Sequence, residues 1–75
     1  MAPQIGLALK TARAAKGETL DKTARAAGKS ASWLSYVEAD KRRIFVDDLI
    51  SILSFLGIEV VEFFEEYYGT STGHA

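Results

Sequence analysis

Four cationic side chains lie on either side of one short predicted helix. Lys29 comes just before that helix, and Lys41, Arg42 and Arg43 follow it. Ammonium and guanidinium groups bind phosphate oxygens, and guanidinium does so through two parallel hydrogen bonds. A basic run in a loop is commonly only solvated, but cations at both ends of one helix favour a phosphate-binding surface.

The charges are divided unequally along the chain. Residues 1–43 carry all nine Lys and Arg against four acids, a sum of +5, whereas residues 44–75 carry six acids and no base, a sum of −6. The basic half can approach phosphate while the acidic half faces away. Chance segregation on solvated faces is the alternative. The formal net charge of −1 therefore does not exclude a polyanionic partner.

Residue types suited to catalysis or metal binding are sparse. The chain has no cysteine, and its single histidine, His74, lies in the polar tail. Asp47/Asp48 and Glu65/Glu66 are adjacent pairs, and adjacent residues of a helix do not face each other. Because no nucleophile stands with a base, the sequence predicts a binding protein rather than an enzyme. We expect no metal, cofactor or small-molecule ligand.

The length of 75 residues suits one small domain. A core of this size contributes only about 3–5 kcal/mol, so oligomerisation would be a useful supplement. No apolar run approaches the ~20 residues that span a bilayer, and the first residues lack the order of a signal peptide. We expect a cytoplasmic protein in which residues 1–68 form the domain and 69–75 form a flexible tail.

Apolar spacing and the residues that begin and end helices predict an all-α fold. The five predicted helices cover about residues 3–15, 19–27, 30–38, 46–56 and 60–67. Gly17, Gly28 and Gly57 each follow a predicted helix. Asp40 stands where the chain must turn after the third helix, and Asp tolerates the left-handed conformation less well than Gly. In the fourth helix, the expected inner face consists of Val46, Leu49, Ile50, Leu53 and Leu56.

The second and third predicted helices, joined at Gly28, are spaced as in a helix-turn-helix. Ala24 is small enough for the two helices to cross closely, and Gly28 supplies the conformational freedom of the turn. Leu34 and Val37 attach the third helix to the core through one face. The opposite face can then enter a DNA major groove, N-terminus first.

The chain resembles the lambda-repressor-like helix-turn-helix family (Cro/CI, XRE-type) over roughly residues 4–64. The matching segments are IGLALKTAR, TLDKTARAAGKS, SASWLSYVEADKRR and VDDLISILSFLGIEVVEFF. The resemblance implies a compact five-helix domain whose third helix reads the major groove, generally in a dimer. The chain departs from the family pattern at four positions: Leu20, Lys29, Asp40 and Ile44.

The resemblance places base-contacting side chains at Ala31, Ser32 and Tyr36. Ser32 can hydrogen-bond to a base edge, whereas Ala31 offers only a methyl group; a solvated face is the alternative. The helix start at Thr19 would add backbone N–H groups for phosphate. The Trp33 indole N–H could donate to phosphate, or the ring could cover the second helix.

The resemblance also implies an ion pair between Arg13 of the first helix and Glu38 at the end of the third. We expect a partly buried, bidentate pair that fixes the third helix against the first.

Four aromatic residues crowd the end of the chain at positions 63, 64, 67 and 68, and a core this small can hide about two of them. The others would contribute to a two-fold dimer interface. A helix that only caps its own subunit is the alternative. The expected interface residues are Ile52, Phe55, Val61, Phe64 and Tyr68.

The sequence as a whole predicts a transcriptional regulator that binds double-stranded DNA as a homodimer on a near-palindromic operator. The alternative is a protein-interaction module, or an antitoxin-type regulator, whose acidic and aromatic C-terminal half binds a protein partner.

Overall fold

The computed structural model describes residues 5–68, which form five α-helices and no strand. The helices are α1 (Ile5–Ala15), α2 (Leu20–Arg25), α3 (Ala31–Glu38), α4 (Val46–Leu56) and α5 (Val60–Glu66). The predicted all-α, five-helix fold is confirmed. The expected start of the first helix at Pro3 or Gln4, the tail 69–75 and His74 lie outside the described residues.

Side-chain caps begin both helices of the helix-turn-helix. Thr19 Oγ1 accepts a hydrogen bond from the Lys22 N–H at 3.1 Å, and Ser30 Oγ accepts one from the Trp33 N–H at 3.1 Å. These contacts satisfy amide groups that have no partner in the first turn of a helix. Both predicted caps therefore start a helix.

The turn between α2 and α3 begins earlier than expected. α2 ends at Arg25 rather than Ala27, and Gly28 adopts a left-handed φ of 69°. This conformation brings the Lys29 N–H back to the Ala24 carbonyl oxygen at 3.0 Å. The return bond closes the helix end as a glycine in this conformation commonly does.

The chain turns sharply after α3 at Asp40, which has a φ of 59°. There Asp40 Oδ1 accepts a hydrogen bond from the Gly6 N–H at 3.0 Å, so Asp40 caps the start of α1 from another part of the chain. Gly6 lies so close to α3 that an added Cβ would overlap the Val37 carbonyl oxygen. Glycine at position 6 therefore permits the close approach of α1 and α3.

The core lies between α1–α3 and the pair α4–α5. Its largest fully buried side chains include Leu9, Leu34, Ile52, Leu53 and Phe63. The burial of Ile52, which is 0% exposed, contradicts its expected place in a dimer interface. It projects into the same core as Leu53, so a second chain cannot reach it.

The buried face of α4 is also rotated from the predicted one. Leu49, Ile52, Leu53 and Leu56 face the core, at the i, i+3, i+4, i+7 spacing of one helical stripe. Val46 and Ile50 were expected inside, but they fall to the side of that stripe and are 67% and 47% exposed.

Candidate nucleic-acid interface

The reading surface expected on α3 is the face opposite its core contacts. Leu34 and Val37 are 0% and 1% exposed and attach the helix to the core. Ser32 is exposed and Tyr36 is 57% exposed, whereas Ala31 is half-buried. Of the three expected base-contacting residues, α3 therefore exposes the Ser32 hydroxyl and the Tyr36 phenol, and Ser35 is a further exposed hydroxyl on this helix.

An ion pair joins the C-terminal end of α3 to α1. Arg13 Nε donates to Glu38 Oε2 at 2.7 Å, and Arg13 Nη2 donates to Glu38 Oε1 at 3.0 Å. Arg13 Nη1 also donates to the Glu18 carbonyl oxygen at 2.8 Å, just before α2 begins. One guanidinium group therefore connects α1, α3 and the loop that leads into α2.

The Arg13–Glu38 ion pair is largely shielded from water. The Arg13 and Glu38 side chains are only 15% and 5% exposed. The pKa of Arg13 is raised above its ordinary value chiefly by the hydrogen bond to Glu38, while burial acts in the opposite direction. The guanidinium therefore keeps its charge at all working pH values, and the two-pronged geometry fixes the orientation of α3.

The basic loop after α3 is fully available to a ligand. Lys41, Arg42 and Arg43 are exposed, and none of them forms an ion pair within residues 5–68. The Lys41 N–H donates to the Tyr36 carbonyl oxygen at 2.9 Å, which holds the start of the loop against α3.

One cleft brings together cations from both ends of α3. Arg42 and Arg43 line it together with Lys29, although the loop follows α3 and Lys29 precedes it. Trp33 forms another part of the wall and is half-buried. The folded chain thus joins two basic segments that the sequence separates.

Two residues of this cleft were missed from the sequence. Asp48 Oδ2 lies 3.8 Å from Lys29 Nζ, which in turn lies 5.7 Å from the centre of the Trp33 ring. Phe45 also lines the cleft and is 78% exposed. Neither residue carries a sequence signal for this role, because both belong to the acidic and apolar part of the chain.

Thr19 was expected to mark a phosphate-binding helix start. It is exposed, but its hydroxyl already caps α2 by accepting from Lys22. Only backbone N–H groups of the first turn of α2 would be available to an anion there.

The remaining interface candidates lie on α4, on α5 and just after α5. Phe55 and Val61 are 41% and 64% exposed. Phe64 and Tyr68 are half-buried, and their rings make an edge-to-face contact at 5.2 Å between centroids. Val60, at the start of α5, is 42% exposed. This half therefore retains several uncovered apolar side chains.

Residues 5–68 contain no group of His, Cys, Asp and Glu arranged to hold a metal ion. None of the helices described is long and apolar enough to cross a membrane.

The five-helix fold, with a capped α2 and α3 around a glycine turn, defines the helix-turn-helix class of DNA-binding regulators. The sequence matches the family described as a helix-turn-helix domain over residues 4–64. The chain therefore belongs to this family, and the resemblance to lambda-repressor-like regulators is confirmed.

Solved structures with this fold include two regulators. The clp gene regulator ClgR from Corynebacterium glutamicum is 33% identical, with a TM-score of 0.76 over 81% of this chain and 65% of that one. This chain thus matches slightly less than two thirds of that ClgR chain.

The restriction-modification controller protein C.Esp1396I is 25% identical, with a TM-score of 0.75 over 84% of this chain and 83% of the controller. A point mutant of the controller, 23% identical with a TM-score of 0.80, supports the fold alone. A comparison with curated proteins gives no match.

Proposed function

We propose that this protein binds specific sequences of duplex DNA as a homodimer and thereby regulates transcription. The observation that carries the proposal is the surface around α3. Its outward face, with Ser32 and Tyr36 exposed, lies beside a cleft lined by Lys29, Arg42 and Arg43. An exposed helix flanked by cations fits a major groove flanked by phosphates.

Base readout and phosphate binding would be divided between two sets of residues. Ser32, Tyr36 and the methyl group of Ala31 would contact base edges. Thr19, Trp33, Lys29 and the three cations of the basic loop would contact the sugar-phosphate backbone. Because the base-reading set is small, much of the affinity would come from phosphate contacts, and DNA shape would add to specificity.

Two relatives support the regulatory part of the proposal. ClgR is a clp gene regulator, and C.Esp1396I controls a restriction-modification system. A protein of this kind would act in the cytoplasm, where it meets DNA, and would need no enzymatic activity or cofactor.

The homodimer would form through the C-terminal half. Phe55 and Val61 are exposed apolar side chains, and Phe64 and Tyr68 are partly covered aromatic ones. Pairing two copies through this half would bury apolar surface. It would also place the two α3 helices in successive major grooves, roughly 34 Å apart, on a near-palindromic operator.

The second candidate function is binding of a protein partner by the same half. The acidic charge of residues 44–75, at −6 with no base, favours a basic partner over a second acidic copy. Sedimentation of the purified protein separates the two candidates. A dimer at micromolar concentration supports self-association, whereas a monomer at all accessible concentrations supports a different partner.

A salt titration of binding to mixed-sequence duplex DNA tests the central proposal. The logarithm of affinity should fall linearly with the logarithm of salt concentration, and Arg42→Gln should reduce the slope by about one. Lys10 is an exposed residue of α1 outside the cleft. Lys10→Gln removes one positive charge there and should leave the slope unchanged. Absence of binding at low salt would overturn the proposal.

A further inference from the structure

Lys29 differs from the other cations of the cleft because it already has an anionic partner. Its Nζ lies 3.8 Å from Asp48 Oδ2, whereas Arg42 and Arg43 have no ion-pair partner in the described chain. The Lys29 and Asp48 side chains are 40% and 20% exposed. Water therefore screens this pair less completely than it screens a pair in open solvent.

A DNA phosphate entering the cleft would meet this pair directly. The same cleft is lined by Lys29, Asp48 and both arginines. The phosphate and the Asp48 carboxylate are both anions attracted to the Lys29 ammonium group, and they repel each other at short range. The Asp48 carboxylate therefore opposes the binding of phosphate through Lys29.

We propose that Asp48 acts as an internal competitor for phosphate, which keeps Lys29 neutralised and lowers the affinity for DNA. The inference rests on the proposed DNA-binding function. Asp48 lies in the first turn of α4, where a negative charge interacts favourably with the N-terminal end of the helix. The Asp48 carboxylate is therefore still stabilised by the N-terminal end of α4 when Lys29 contacts phosphate.

The opposite role would be one of support. Lys29 Nζ lies 5.7 Å from the centre of the Trp33 ring, so Asp48 could hold the ammonium over the ring in the position that phosphate needs. The two roles predict opposite changes in DNA affinity when the Asp48 charge is removed. Competition predicts tighter DNA binding, and support predicts weaker binding.

The neighbouring residue supplies a matched control. Asp47 is exposed on the same turn of α4 and forms no ion pair within residues 5–68. Asp47→Asn and Asp48→Asn change the net charge of the full chain equally. Any difference between them in DNA binding therefore reports the local contact with Lys29 rather than the general field of the protein.

The experiment measures binding of a labelled mixed-sequence duplex by the full chain across a salt series. Asp48→Asn should bind about three- to tenfold more tightly than Asp47→Asn, because no carboxylate then competes with phosphate for Lys29. In a Lys29→Gln background, the difference between the two variants should disappear. Thermal unfolding of each variant checks that the fold is retained.

Three outcomes would contradict the inference. Equal binding by Asp47→Asn and Asp48→Asn would show that Asp48 does not compete with phosphate. Weaker binding by Asp48→Asn would show that Asp48 supports Lys29 instead. Persistence of the difference in the Lys29→Gln background would exclude Lys29 as the target. If Arg42→Gln still lowers the salt slope, the proposed DNA-binding function survives any of these results; if no protein binds duplex DNA, both proposals fail.

Discussion

The two parts of this domain are held together by different kinds of contact. In α1–α3, the Arg13–Glu38 ion pair and the hydrogen bond from the Gly6 N–H to Asp40 join distant parts of the chain. α4 and α5 pack through aliphatic residues and stacked or edge-to-face rings. The residue before α4, Phe45, makes no side-chain cap hydrogen bond.

This difference fits the tasks proposed for the two parts. A helix that reads a groove must be held at a defined angle, and hydrogen bonds depend on direction whereas apolar burial does not. Apolar packing stabilises α4 and α5, and side chains such as Phe55 and Val61 stay uncovered for a partner. Variants that break one kind of contact at a time test whether orientation is concentrated in the first part and association in the second.

The largest effect is expected from breaking the buried ion pair. Arg13→Ala would leave the Glu38 carboxylate, which is 5% exposed, without its guanidinium. We expect the free energy of unfolding to fall by about 3 kcal/mol. Adding Glu38→Gln should restore at least about 1 kcal/mol, because the uncompensated charge is then gone. Urea unfolding at one fixed protein concentration measures all three proteins.

An exposed ion pair provides the control. Arg25 and Asp21 form an i, i+4 pair on α2 with side chains 75% and 60% exposed. Arg25→Ala should therefore cost less than about 1 kcal/mol. If Arg13→Ala and Glu38→Gln prove strictly additive, the buried pair does not stabilise the position of α3 in solution.

The second prediction concerns the contact between α1 and α3. Gly6→Ala would place a methyl group against the Val37 carbonyl oxygen, which belongs to backbone and cannot rotate away. We expect a loss of about 2 kcal/mol in unfolding free energy, although alanine by itself favours a helix. Leu7→Ala, at a residue 56% exposed in the same turn, should change stability by less than about 0.5 kcal/mol. Stabilisation by Gly6→Ala would mean that the two helices stand further apart.

A third and smaller effect separates the two roles of Asp40. Its side chain caps α1, while its backbone has the left-handed φ of 59°. Asp40→Ala loses the cap and keeps the strained conformation, at a cost of about 1–2 kcal/mol. Asp40→Gly loses the same cap but relieves the backbone, so thermal unfolding should place it close to the wild type. Equal destabilisation by both changes would show that only the cap matters.

Local signals explain how much of this structure the sequence predicts. Thr19 and Ser30 start helices, and Gly28 and Gly57 end them, through contacts within a few residues. Together with the apolar spacing, such signals predict the five helices and most of their bounds. The Asp40–Gly6 hydrogen bond joins residues 34 apart in sequence, and no local pattern indicates it.

The buried face of α4 could not be predicted from the sequence either. Its sequence, VDDLISILSFL, is apolar on most sides, so the helical period does not select one buried face. The sequence therefore predicts Ile52 in an interface and Ile50 in the core, whereas their burial is the reverse. In the candidate site, the cleft cations were predicted from charge, but the contact of Lys29 with Asp48 depends on how α4 packs beside α2 and α3.

The smallest effect on folding is expected at Val61, where the effect on association should be large. Val61 is 64% exposed, so Val61→Lys should change the free energy of unfolding of the monomer by less than about 0.5 kcal/mol. An ammonium group brought into an apolar interface must lose its water, so the dimer dissociation constant should rise by about tenfold or more. Leu7→Lys adds the same charge at a comparably exposed apolar site on α1 and should leave the dimer intact. Sedimentation equilibrium of both variants decides the matter: equal weakening would indicate a general effect of charge, and an unchanged Val61→Lys dimer would place the interface away from α5.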